Sequence, residues 1–205
     1  MTGRKVHYVS GLTVSIFITF HLLNHLSSIY GAGEHIAVMN TMRFFYRNPL
    51  AEGFLLLAVL AQIISGMRLF MKNRKTAGTT FEKLQIWTGL YLAIFYLVHL
   101  AAVFGGRYLL HLDTNFYFGV AGLNSFPTNL FFIPYYGFAL FSFFGHLAAI
   151  HNRKMKHTII GLSPAGQSIV ILLSGIILSF AIFYGLTNRF NGVAIPKEYD
   201  VLIGK

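Results

Sequence analysis

Residues 8–33 read YVSGLTVSIFITFHLLNHLSSIYGAG, a run without Lys, Arg, Asp or Glu. A helix crosses a bilayer with roughly 20 consecutive apolar residues, and this stretch is long enough to do so. The uncharged runs 84–106, 114–152 and 157–188 repeat the pattern. A shorter run lies between Glu52 and Arg68, with Leu69 to Met71 extending its apolar character. Across all 205 residues, 55% are hydrophobic and only 11% charged. Soluble domains carry about 25% charged residues, so a disordered segment, a coiled coil and an ordinary cytosolic enzyme are excluded. The expectation is an all-α polytopic membrane protein: one domain over residues 1–205, a five-transmembrane-helix bundle with spans near 7–30, 50–72, 83–105, 129–151 and 166–187.

The net charge of +10 follows from this topology. Five spans put Arg4, Lys5, Arg68, Lys72, Arg74, Lys75, Lys83, Arg153, Lys154 and Lys156 on one side, opposed by Glu82 alone. The other side receives Arg43, Arg47, Arg107, Arg189, Lys197 and Lys205 with Glu34, Glu52, Asp113, Glu198 and Asp200. The basic side, which includes the N-terminus, is expected to be cytoplasmic, or matrix-facing in a mitochondrion. No basic helix or stacking motif accompanies the charge, so no nucleic-acid partner is expected. Cysteine is absent, which removes disulfides, thiolate ligands and thiol nucleophiles. No cleavable signal peptide is expected, because the first apolar stretch is too long for one.

Local signals mark the helix starts. Asn48-Pro49 supplies a cap followed by a proline at the first helical position, and Ser163-Pro164 repeats the pattern. Thr79-x-x-Glu82 reads as a capping box. Between the first two spans, Ile36, Met39 and Met42 recur at helical spacing, with Asn40, Arg43 and Arg47 on another face. This predicts a short interfacial helix. Residues 108–128, with Gly119, Gly122, Asn124 and Pro127 among aromatics, read as a compact outer loop.

Ionisable side chains at membrane depth are rare and usually face the bundle interior. Four histidines qualify: His21 and His25 in span one, His99 in span three and His146 late in span four. His7, His35, His111, His151 and His157 fall at span ends or in loops, where water accounts for them. At about 1.5 Å per residue, His99 shares a level in the outer half with His21 or His25, whereas His146 lies nearer the inner surface. Two imidazoles facing each other from different helices are what a six-coordinate haem b requires as axial ligands. Hydrogen bonds among His21, His25, Asn24, Ser27 and Ser28 are the plainer alternative. A third reading uses His21-x-x-x-His25 with a further His, such as His99, to hold zinc or non-haem iron. Membrane metalloenzymes of that kind also carry adjacent His pairs, and this chain has none.

These residues resemble a family. Gly3-Arg4-Lys5, Ser10-Gly11-Leu12 and Phe20-His21-Leu22 with Asn24 are similar to the first helix of the cytochrome b membrane anchor of succinate dehydrogenase and fumarate reductase, in its single-chain five-helix form. Gln62-Ile-Ile-Ser-Gly66-Met-Arg68 resembles the second helix, where the family has His, three residues, Gly. The similarity covers about residues 3–151. It implies that His21 or His25 pairs with His99 around an outer haem, and that His146 is one ligand of an inner one. The partner position of His146 holds Gln62, a poor haem ligand, so one haem b or none is expected.

The resemblance also implies flavoprotein and iron–sulfur partner subunits on the cytoplasmic face, electron exchange with quinone, and a bacterial or mitochondrial inner membrane. The chain would catalyse nothing alone. Glu52 is a candidate acceptor of a quinol proton, or simply a carboxylate at a positive helix end. Arg68 is a candidate for a quinone carbonyl or a haem propionate, or a snorkelling anchor. Tyr135, Tyr136 and Trp87 read as interfacial aromatics. Gly89 and Gly145 permit close helix contact, and Gly89 could equally clear room for a macrocycle. A haem-free structural subunit of a larger respiratory assembly is the alternative function.

Overall fold

The computed structural model describes residues 3–205. Its helices are α1 (Gly3–Ser27), α2 (Ala32–Tyr46), α3 (Pro49–Asn73), α4 (Thr80–Phe104), α5 (Phe116–Val120), α6 (Asn129–Lys154) and α7 (Pro164–Leu186). Five are long and apolar enough to cross a membrane: α1, α3, α4, α6 and α7. A π turn over Gly105–Leu109 lengthens α4, and a 3-10 turn over Ser28–Tyr30 lengthens α1.

The boundaries follow the local chemistry. Asn48 Oδ1 accepts from the Leu50 amide at 3.0 Å, with Pro49 opening α3. Before α4 the capping box is reciprocal: the Glu82 amide donates to Thr79 Oγ1 and the Thr79 amide to Glu82 Oε2. Ser163 Oγ accepts from the Gly166 amide ahead of α7.

The spanning helices pack in chain order, α1 on α3, α3 on α4, α4 on α6 and α6 on α7, and α7 returns to α1. Their seams use glycines where helices approach closely. At the closing seam, a Cβ on Gly185 would strike the Ser28 hydroxyl and backbone, so only glycine lets α7 reach α1 there. Large side chains such as Leu57, Ile177 and Phe180 point outward and are exposed. In water such a surface would be unfavourable; against lipid tails it is not.

The end of the bundle that carries α5 holds a buried apolar core. Leu22, Phe116, Val120, Leu123, Ile182 and Leu186 form one buried cluster there. Residues 108–128 are therefore a folded cap, with Val120 and Ala121 almost fully buried. The 3-10 turn Lys197–Ile203 joins it: Tyr199 is buried and its hydroxyl donates to the Asp113 carbonyl at 3.0 Å.

Candidate functional site

In α1, residues 17, 21 and 25 are successive turns of one face. Phe17 stacks on His21 at 5.7 Å between ring centres, and His25 meets His21 edge-on at 4.5 Å. On α4, one turn apart, Phe95 stacks on His99 at 5.2 Å. The ring closure brings these faces toward each other, and the His21 and His99 ring centres lie 6.2 Å apart. Two imidazoles bound to one metal through opposed nitrogens, at bonds of about 2 Å, have ring centres about 6 Å apart. The observed separation matches that spacing. The two imidazoles are inclined at 68°. His21, His25 and His99 are each partly buried.

His25 has a different role. Its Nε2 lies 3.1 Å from His21 Nε2, and its Nδ1 lies 3.3 Å from His35 Nε2. Asn24 Nδ2 donates to the same His35 nitrogen at 3.3 Å. His25 thus links His21 to His35 in one relay of side-chain contacts. This relay fixes the His21 ring in place.

His35, which the sequence reading left to water, is only 3% exposed and packs on Phe116. Its signal was available: His35 and Met39 are four apart, so they share a helix face, and both are buried. Burial, and secondarily the Arg43 charge, hold the His35 pKa down at about 4.

The inner level is organised differently. His146 Nδ1 lies 3.0 Å from the Gln85 carbonyl and 3.3 Å from Thr88 Oγ1. A Cβ on Gly89 would lie 3.0 Å from His146 Cε1, so Gly89 clears room for that imidazole. Gln62, at the expected ligand position, accepts from Ser10 Oγ at 2.7 Å, and its amide nitrogen reaches His7 Nε2 at 3.4 Å. His7 is also held by Ser65 Oγ at 3.0 Å, so it too is bound in the α1–α3 seam instead of being left to water.

Glu52 and Arg68 do not form one site. They stand sixteen residues apart on α3, about 24 Å along the axis. The Glu52 carboxylate pairs with Arg107 at 2.6 Å, a partner the sequence reading did not supply. Arg68 lines a groove of about 540 Å³ between α1 and α3, together with Arg4, Lys72 and Ser65. Tyr135 and Tyr136 are more than interfacial aromatics, since both pack against Phe95 and so wall the His99 side. Among the described residues, no group of three or more His, Asp or Glu side chains is arranged to hold a metal ion. No family model, curated protein or solved structure matches this chain.

Proposed function

We propose that this chain is a cytochrome-b-like membrane anchor, of the kind found with succinate dehydrogenase and fumarate reductase, holding one haem b between His21 and His99. The observation that carries the reading is the approach of these two imidazoles, 6.2 Å apart, from opposite sides of the bundle interior. Haem b bound there supplies one-electron redox chemistry. The protein's part is positional: Phe17 and Phe95 brace the ligand rings, and the His25–His35 relay orients His21. His146 and Gln62 are committed to hydrogen bonds at the inner level, which favours a single haem.

The basic inner side, including Arg4, Lys5, Arg153 and Lys154, is the docking face for flavoprotein and iron–sulfur subunits, and lies in the cytoplasm or matrix. The membrane is a bacterial or mitochondrial inner membrane. Helix α2 lies in the outer interface, because it buries His35 and Met39 while presenting Phe44 and Phe45 outward. Quinone exchange belongs to the Arg68 groove, which offers apolar walls from Val6, Ile64 and Leu69 with cations at its rim.

A reduced-minus-oxidised visible spectrum of the purified chain tests this. A low-spin b-type signal at about one haem per chain is expected. One observation favours a haem-free scaffold: His21 Nε2 already has a partner, His25 Nε2, at 3.1 Å. Absence of a Soret band after expression with ample haem would leave that second reading.

A further inference from the structure

Three arginines gather at the outer end without enough acid to match them. Arg43, in the last turn of α2, pairs with Asp113 at 2.9 Å. Arg107, in the π turn after α4, pairs with Glu52, and Arg47 Nη2 donates to Thr114 Oγ1 at 2.9 Å. Four further guanidinium nitrogens are sealed from solvent and meet no acceptor among the described residues: Arg43 Nε, Arg43 Nη2, Arg47 Nε and Arg107 Nε. Buried donors on charged groups are seldom left without acceptors. Two carboxylates face three guanidiniums, so the cluster keeps a positive charge. Burial and repulsion from Arg43 and Arg107 lower the Arg47 pKa, opposed in part by Tyr46 and Asp113.

The cluster borders the histidine site. Arg107 is eight residues beyond His99 on α4, about 12 Å along the helix. Tyr46, beside Arg47, packs edge-on against Phe17, which in turn stacks on His21. Guanidiniums present planar forks of N–H groups that match the two oxygens of a carboxylate or phosphate.

We propose that Arg43, Arg47 and Arg107 form an oxyanion site for the carboxylate or phosphate of an amphipathic ligand. The acid can come from the side arms of a macrocycle seated between His21 and His99, and this source alone rests on the haem reading above. It can equally come from the headgroup of an anionic lipid in the outer leaflet. Both sources share the chemistry of an oxyanion attached to a large apolar body, which the neighbouring aromatic side chains accommodate.

The test uses the full chain in detergent. Haem b and its dimethyl ester, which keeps the iron and loses both acids, are titrated by Soret absorbance. If the macrocycle is the source, the free acid binds about tenfold or more tighter than the ester. Arg43→Gln with Arg47→Gln then weakens only the acid. If lipid is the source, acid and ester bind alike. Phosphatidylglycerol, but not phosphatidylcholine, then raises the Tm of the delipidated chain, and the double variant loses that rise. Failure of both haems to bind removes the histidine reading and leaves the lipid comparison to decide. Equal binding of acid and ester, or no haem binding, combined with equal Tm in the two lipids overturns the proposal. The comparisons on the unaltered chain decide the matter even where the glutamine variant does not fold, and Arg43→Lys with Arg47→Lys separates charge from the fork geometry.

Discussion

Removing the His99 imidazole takes away the one nitrogen donor that α4 brings to the His21 level, so His99→Ala is expected to abolish bound haem. His21→Ala should do the same. Depth along α1 does not separate His21 from His25, and only the resemblance of Phe20-His21-Leu22 to the family's first helix points to His21; in the fold His21 turns to His99 and His25 to His35. His25→Ala should therefore keep the haem but weaken it, and His146→Ala should leave it intact, as that ring bonds Gln85 at another level. Optical spectra of the four variants check this. Loss of haem in His146→Ala with retention in His99→Ala would place the site in the inner half. His35 supplies a second prediction. Its folded pKa of about 4 lies below the ordinary 6.5, so the unfolded chain binds more protons between those values. The associated stability is complete above about pH 6.5 and is lost as pH falls through that window toward about 4, by no more than about 3 kcal/mol. Tm should fall between about pH 7 and about pH 5, and His35→Gln should make the fall shallower. An unchanged fall would assign the acid sensitivity to other groups.

The helices themselves were readable at their starts and less so at their seams. Asn48-Pro49, Thr79-x-x-Glu82 and Ser163-Pro164 each cap the helix they preceded, because capping depends on three or four consecutive residues. Seams depend on which side chain arrives from another helix. Gly89 illustrates the difference: its partner is His146, fifty-seven positions away, with a Cβ-to-Cε1 distance of 3.0 Å. Gly89→Val would push α4 off α6 and is expected to cost about 1–3 kcal/mol, read as a lowered Tm. Gly53→Ala, where a Cβ meets nothing within 4 Å, is the control and should leave Tm unchanged or raise it slightly. Equal effects at the two positions would mean that the α4–α6 seam is looser than described.

For the whole molecule, five helices long enough to cross a membrane are expected to put the two ends of the chain on opposite sides of it. A tag ahead of α1 should be reachable from the cytoplasmic or matrix side only, and a tag after Lys205 from the opposite side only. Protease protection in oriented vesicles measures this. Both tags on one side would mean an even number of spans and would undo the shared level of His21 and His99. The outer end, packed through Phe116, Val120 and Tyr199, should resist protease even where the inner loop over residues 74–79 is cut.

Sequence alone determined that the chain is helical, that five segments are long and apolar enough to cross a bilayer, and where three of the helices begin. Those properties depend on the composition and periodicity of neighbouring residues. It also drew attention to His21, His25, His99 and His146, since depth is a sum along each helix. Which imidazole faces which was decided by tertiary structure, because rotation of one helix against another follows from contacts far apart in sequence. The same is true of His35 and His7, which look like boundary residues until α2 folds onto α1 and α3 packs beside it. It is true also of Arg43, Arg47 and Arg107, scattered charges along the chain that share one buried cluster only after the ring of helices closes.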